Sequence, residues 1–206
     1  MPPKKTKSRS RNKWADHYTR KARKDNYPAR SVYKLKEIQK RYRLIHPGNR
    51  VLDLGCAPGS WLKYAAEITG PRGYVLGLDL KPVELALPGH AQAMVADIFD
   101  LNEEVTALLG RGFHCVISDM APATTGHKDV DAARSFNLCE SALGIAMDHL
   151  VDGGRFVCKI FQGPDTQAFI DTVKQRFTRC HIYKPQSSRK ASREIFIIGK
   201  GKRQED

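Results

Sequence analysis

From residue 50 onward, short apolar runs alternate with stretches whose apolar residues recur at helical spacing. Val51-Leu52-Asp53-Leu54-Gly55, Tyr74-Val75-Leu76-Gly77-Leu78-Asp79-Leu80 and Phe113-His114-Cys115-Val116-Ile117-Ser118-Asp119-Met120 are nearly continuous in apolar character and short. Strands covered on both faces by crossover helices read this way. The pattern predicts strands over 50–55, 74–80, 93–97, 113–119, 155–161, 180–184 and 194–199, with helices over 60–69, 102–109, 129–150 and 165–177. Ser60 is the expected cap of the first of these helices and Gly70-Pro71 its stop. Strand-helix alternation of this kind makes a doubly wound α/β sheet. Only the polar stretch 185–192 separates the last two strands, so they are expected as an antiparallel pair finishing the sheet. Ahead of all this, a helix is predicted to open at Ser31 as N-cap, with Val32, Leu35, Ile38 and Tyr42 on one face. Lys34 lies about 85° from the centre of that stripe, near enough to the edge for its ammonium to reach a cleft while its stem packs on apolar surface.

The chain of 206 residues is 41% hydrophobic, enough for one buried α/β core. Charge adds a feature that the hydrophobic pattern lacks. Residues 1–30 hold eleven Lys and Arg against Asp16 and Asp25, so they carry +9 of the net +13. Such a segment buries little apolar surface and suits nucleic acid or an acidic membrane surface; its start is expected to be disordered, with Trp14, Tyr18 and Tyr27 as stacking groups among the cations. A merely solvated tail is the competing reading. No apolar run approaches the roughly 18 residues of a membrane span. The basic opening has no apolar segment behind it, which excludes a secretory signal and makes the cytoplasm the expected compartment, although an Arg-rich, acid-poor start also suits a transit peptide. Five widely spaced Cys without a CxxC pair, and seven His without a ligating spacing, give no disulfide framework and no metal site.

The strongest local signal is Val51-Leu52-Asp53-Leu54-Gly55-Cys56-Ala57-Pro58-Gly59-Ser60-Trp61, an apolar strand ending in a small-residue turn that opens directly into a helix. The turn leaves room for a ligand at the strand's carboxyl end. Its glycines do not follow the GxGxxG spacing that cradles a pyrophosphate, so a ligand lacking phosphate is favoured over a nicotinamide dinucleotide. Asp79 closes the second strand 26 residues after Asp53, where it can accept from a ribose diol, and Asp97 closes the third, where it can accept from an adenine amine. For both, the alternative is a carboxylate that caps the next turn. Asp119 begins Asp-Met-Ala-Pro, and Pro122 turns the chain away from helix. Lys159 stands inside Phe-Val-Cys-Lys-Ile-Phe, where a cation implies either an edge position or a partner at a site.

Asp-Leu-Gly-Cys-Ala-Pro-Gly-Ser-Trp (53–61), Ser-Asp-Met-Ala-Pro (118–122), Cys-Lys-Ile-Phe-Gln-Gly (158–163) and Ser-Ser-Arg-Lys-Ala-Ser-Arg-Glu (187–194) together resemble the FtsJ/RrmJ-type ribose 2′-O-methyltransferases. The resemblance runs from about Trp14 to Lys200, departing slightly at Cys56 and Ser60, where relatives often have Ala and Gly. It implies a Rossmann-like methyltransferase fold over residues 31–206, a seven-stranded, mostly parallel sheet with one antiparallel strand. It also implies S-adenosylmethionine as methyl donor. A Lys-Asp-Lys-Glu tetrad would fall on Lys34, Asp119, Lys159 and Glu194, while Gly59, Trp61, Asp79, Asp97 and Asp119, with Asp53 and Gly55 of the same turn, would form the cofactor pocket. The implied acceptor is a uridine of large-subunit ribosomal RNA in an assembled or nearly assembled particle, methylated by a monomer. The alternatives are a tRNA anticodon loop, or an RNA-binding assembly factor that keeps the fold without catalysis.

These residue types suit methyl transfer to a hydroxyl. Alignment of the oxygen with the methyl carbon is the main requirement, and the remaining difficulty is the hydroxyl proton. Lys159 is expected to accept it, helped by a neighbouring cation at Lys34, with Asp119 orienting the amine. Because the Asp119 carboxylate favours an ammonium, the alternative is a cation that stabilises the developing oxyanion. Lys34 and Glu194 would hold the ribose or the lysines in place.

Overall fold

In a computed structural model, which describes residues 9–110 and 112–204, seven strands form one sheet in the order β3-β2-β1-β4-β5-β7-β6. The strands are β1 (Arg50–Leu54), β2 (Tyr74–Asp79), β3 (Ala91–Val95), β4 (Phe113–Ser118), β5 (Leu150–Phe161), β6 (Phe177–Tyr183) and β7 (Glu194–Lys202). The helices are α1 (Arg9–Lys24), α2 (Val32–Tyr42), α3 (Ser60–Thr69), α4 (Glu103–Leu109), α5 (Lys128–His149) and α6 (Thr166–Arg176). Strands β1 to β5 pair in parallel, while β7 runs antiparallel to both β5 and β6. The predicted doubly wound sheet with one antiparallel strand is therefore the observed one. Strand order reverses between β1 and β4, the switch point at which such sheets take their ligands.

The apolar runs supply both faces through their period of two. Val51, Val75, Cys115, Ile117, Val157, Phe196 and Ile198 pack with α2 and α3. Leu52, Leu54, Leu76, Val116, Phe156, Cys158 and Ile197 pack with α4, α5 and α6. Strand β5 begins five residues before the predicted 155, because Leu150 already pairs with Phe113 and a register shift between Phe113 and Cys115 absorbs the Gly153-Gly154 stretch. Among the described residues no helix is long and apolar enough to cross a membrane.

Two expected caps differ. Ser31 precedes α2 in helical conformation without a capping bond, and Gly59, not Ser60, stands at the N-cap of α3. Ser60 instead accepts from the Ala29 amide at 2.7 Å and donates to the Ala29 carbonyl at 3.1 Å, fastening the segment before α2 onto α3. The basic N-terminal stretch also holds an element that the charge pattern hid, since α1 occupies Arg9–Lys24. Tyr27, expected to be available for stacking on RNA, is buried in a small cluster with Ala22, Val32 and Tyr33, and its hydroxyl donates to Glu67. The Lys36 ammonium lies 4.3 Å from the centroid of Tyr27 and 5.3 Å from that of Tyr64, tying this cluster to α2 and α3. Residues 1–8 and the side chain of Trp14, on which part of that expectation falls, lie outside the described part.

Candidate active site

Four charged side chains meet at the carboxyl rim of the sheet. Asp119 follows β4 directly, Lys159 lies near the end of β5, and Glu194 opens the antiparallel β7, which brings it to the same rim. Lys34 comes from α2, whose Val32, Leu35 and Ile38 are sealed into the core and set the helix against the sheet. Lys159 Nζ lies 2.9 Å from Asp119 Oδ1 and also donates to the Asp119 carbonyl oxygen. Lys34 Nζ lies 3.5 Å from the same Oδ1 and donates to Glu194 Oε2 at 3.0 Å. Lys34, Lys159 and Glu194 are only 8%, 7% and 8% exposed. Charges buried to this degree need partners, and the alternation Lys159, Asp119, Lys34, Glu194 gives every ammonium a carboxylate. Strand β5 lies between β4 and β7, so an edge position does not account for its lysine.

Beside this cluster, the turn between β1 and α3 is shaped by two glycines. Gly59 has φ 103°, and a Cβ there would lie 2.9 Å from Val83 Cγ1. Gly55 has φ 79°, and a Cβ would run into the Met120 side chain, so this glycine serves the close packing of the β1 and β4 loops. The Gly55 amide is spent on the Leu78 carbonyl at 2.8 Å. Trp61, expected to line the pocket, places its indole in the core, stacked on Phe196 at 5.8 Å between centroids and donating to the Ser31 carbonyl at 2.9 Å. What α3 presents at the turn is backbone, because the first N–H groups of a helix have no acceptor within it.

Asp79 Oδ1 caps its own turn by accepting from Lys81 N, the alternative role for a carboxylate at a strand end, and Oδ2 reaches the β1–α3 turn, accepting from Ala57 N, both at 2.9 Å. Each oxygen keeps a second lone pair for a ligand hydroxyl. Asp97, just beyond β3, is exposed and accepts from Phe99 N at 3.0 Å. Leu80 and Phe99, which no sequence motif singles out, are 68% and 61% exposed at the same ends of the neighbouring strands β2 and β3. Apolar side chains left in solvent at a rim with two carboxylates suit a ligand with a flat face and polar edges. Asp53 is fully buried, neither of its oxygens has a hydrogen-bond partner among the described residues, and burial next to the charges of Asp119 and Asp79 pushes its carboxyl well above the usual range. Among the described residues no group of three His, Cys, Asp or Glu is placed to hold a metal ion. The five cysteines are unbridged and four are buried; burial pushes the Cys115 thiol up to about 12.

A cluster of two lysines and two carboxylates next to a glycine turn at the switch point is an arrangement for binding a small ligand and moving a proton. Residues 27–202 match the model of the FtsJ-like methyltransferases. A protein of Desulforapulum autotrophicum named ribosomal RNA large subunit methyltransferase E is 61% identical over 94% of this chain and 95% of its own. Its namesake in Desulfatibacillum aliphaticivorans is 55% identical over 97% and 96%. In three dimensions the chain is similar to a Plasmodium falciparum protein described as a ribosomal RNA methyltransferase, with a TM-score of 0.75 at 24% identity over 87% of this chain and 100% of that one, a likeness of fold. The chain belongs to the FtsJ-like methyltransferase family.

Proposed function

We propose that the protein transfers a methyl group from S-adenosylmethionine to a ribose 2′-hydroxyl in RNA, with a uridine of large-subunit ribosomal RNA as the acceptor. The observation that carries this is the convergence of Lys159 and Lys34 on a single oxygen of Asp119. The residues at the rim suit such a donor: Asp79 would take the ribose diol, Asp97 the adenine amine, Leu80 and Phe99 the faces of the base, and the turn around Gly59 the remainder, with no cradle for a phosphate. Bound there, S-adenosylmethionine supplies a methyl group activated by its sulfonium.

The protein's own task is to align the acceptor oxygen and to receive its proton. Asp119 occupies two of the positions around Lys159 Nζ through its carboxylate and its carbonyl. The remaining position is left for the ribose hydroxyl. There Lys159 in its neutral form, its ammonium proton given up to solvent, accepts the hydroxyl proton, while the new oxygen–carbon bond replaces the carbon–sulfur bond that breaks. Asp119 fixes the direction of the amine, and Lys34, held by Glu194, keeps the Asp119 carboxylate in place. The basic segment 1–30 supplies phosphate contacts, which position the RNA without reading its sequence. We place this activity in the cytoplasm and in a monomer. High identity to relatives named for the large ribosomal subunit supports that acceptor over tRNA.

The test is incubation with radiolabelled S-adenosylmethionine and, separately, unmodified tRNA, free ribosomal RNA and large subunits from a methylation-deficient strain. Label at a ribose of the large subunit, lost in Lys159→Ala, is the expected result. Label in tRNA would keep the chemistry and change the acceptor, and cofactor binding with no label anywhere would turn the reading toward an assembly factor.

A further inference from the structure

The stretch between β6 and β7 reaches the site through Glu194, and α2 grips it at two points. Three residues after Lys34 on that helix, the Glu37 carboxylate accepts from Gln186 N at 2.7 Å through Oε2 and from Ser187 N at 2.9 Å through Oε1. Oε2 also accepts from the Tyr183 hydroxyl at 3.2 Å, at the end of β6. At the other end of the stretch, Glu194 pairs with Lys34. The segment between is folded on itself by Ser188 N to Pro185 O at 3.1 Å, Ser192 N to Arg189 O at 2.9 Å and Lys184 Nζ to Ser192 O at 2.8 Å, and it delivers Glu194, whose amide donates to Ser192 Oγ at 3.2 Å. A carboxylate bridging two successive backbone amides is a fixed anchor, because its charge strengthens both bonds and its two oxygens define one orientation.

We infer that Glu37 is a positioning residue for methyl transfer. By anchoring residues 186 and 187 to α2, it fixes the segment that brings Glu194 to Lys34, and so it acts on Asp119 and Lys159 through that pair. It touches neither the cofactor end of the rim nor Lys159. Loss of the anchor therefore loosens the acceptor side and spares the donor side. Gln in place of Glu keeps an oxygen able to accept from Gln186 and Tyr183 while losing the charge and the second acceptor, so it retains part of the function.

This inference rests on the ribose methyl-transfer reading, and the experiment separates the two. Wild type, Glu37→Ala, Glu37→Gln, Glu194→Ala and the double variant Glu37→Ala/Glu194→Ala are compared in single-turnover methylation of whichever RNA acceptor the wild type modifies. Binding of S-adenosylhomocysteine and amide exchange at residues 186–194 are followed in parallel. Glu37→Ala should slow transfer about tenfold or more with cofactor affinity unchanged and faster exchange at Gln186 and Ser187. Glu37→Gln should recover a good part of the rate, and the double variant should be no slower than Glu194→Ala alone, since residues acting through one another are not additive. A Glu37→Ala rate equal to wild type, or a double variant in which the two defects multiply, overturns the inference while leaving the methyl-transfer reading intact. If Glu37→Ala does not fold, Glu37→Gln paired with Glu194→Ala gives the same cycle. A wild type inactive on every RNA brings down the ribose reading, and this inference with it.

Discussion

Replacing Lys159 with Ala removes the amine at the centre of the site without stranding its partner, because Asp119 keeps Lys34 at 3.5 Å. The variant should therefore fold and bind S-adenosylhomocysteine with nearly wild-type affinity, while single-turnover methylation falls by about 10²–10⁴, the range of a lost general base. Full activity in that variant would remove Lys159 from the mechanism. Asp53 gives a second prediction, of opposite character. Its carboxyl is fully buried without partners among the described residues and titrates well above the ordinary 3.8. Between those two values the folded state holds a proton that the unfolded state has released, so stability declines as pH rises through that window. In the cofactor-free protein, Asp53→Asn should raise the melting temperature near neutral pH, and the gain should vanish below about pH 3.8, where the acid is protonated in both states. Melting curves of the two proteins across pH check this, and a gain independent of pH would show that Asp53 is not the titrating group. Lys159 is legible in the sequence because a cation within an apolar strand conflicts with its surroundings. Lys34 and Glu194 come together only by resemblance to a family. Glu37 is not legible at all: it reads as an acid on a helix, and its backbone partners lie 149 and 150 residues away. Trp61 is placed at the pocket only by the same resemblance; its ring packs against Phe196 and donates to the Ser31 carbonyl, so its backbone is what it can offer a ligand.

At the scale of elements, the β1 to α3 turn is where, on the proposed function, the fold would act on binding. Gly59 holds φ 103° at the cap of α3, a conformation that costs an L-residue about 1–2 kcal/mol, and Val83 crowds the space that a methyl would take. Gly59→Ala should lower the melting temperature and weaken S-adenosylhomocysteine binding about tenfold, the effect of such a shift in the turn. Titration calorimetry with the purified variant decides it, and unchanged affinity would mean that the turn does not shape the donor site. The strands and helices around this turn are legible because each apolar run has the length and period of a strand buried on both faces, and each helix carries its stripe. Details governed by distant residues are not. Ser60 has the composition of a cap, yet Ala29 claims its hydroxyl, and β5 extends back to Leu150 because β4 offers Phe113 as a partner across a bulge. Helix α1 lies in a stretch whose charge hides it, and the cluster of Ala22, Tyr27, Val32 and Tyr33 packs this end of the chain against the domain.

For the molecule as a whole, the distribution of charge links architecture to acceptor. Of the net +13, residues 31–206 carry only +4, so the positive field originates mainly in the first 30 residues. That segment is attached where it matters: Tyr27 lies against Lys36, and Lys36 is two positions from Lys34 on α2. On the proposed function, phosphates held by the segment would be brought beside the helix that carries one of the two lysines of the site. Deleting residues 1–13 removes Lys4, Lys5, Lys7, Arg9, Arg11 and Lys13. RNA affinity should fall, and the slope of log K against log salt should flatten by about 0.7–0.9 for every phosphate that is no longer neutralised. The methyl-transfer rate at saturating RNA should stay near that of the full chain, because the deleted residues include none of Lys34, Asp119, Lys159 and Glu194. Binding isotherms between about 50 and 200 mM salt, a range in which six to ten neutralised phosphates change affinity by roughly 10³–10⁵, resolve the difference. An identical slope would make the segment a solvated tail and would move the search for the RNA-binding surface onto the basic residues of the sheet domain.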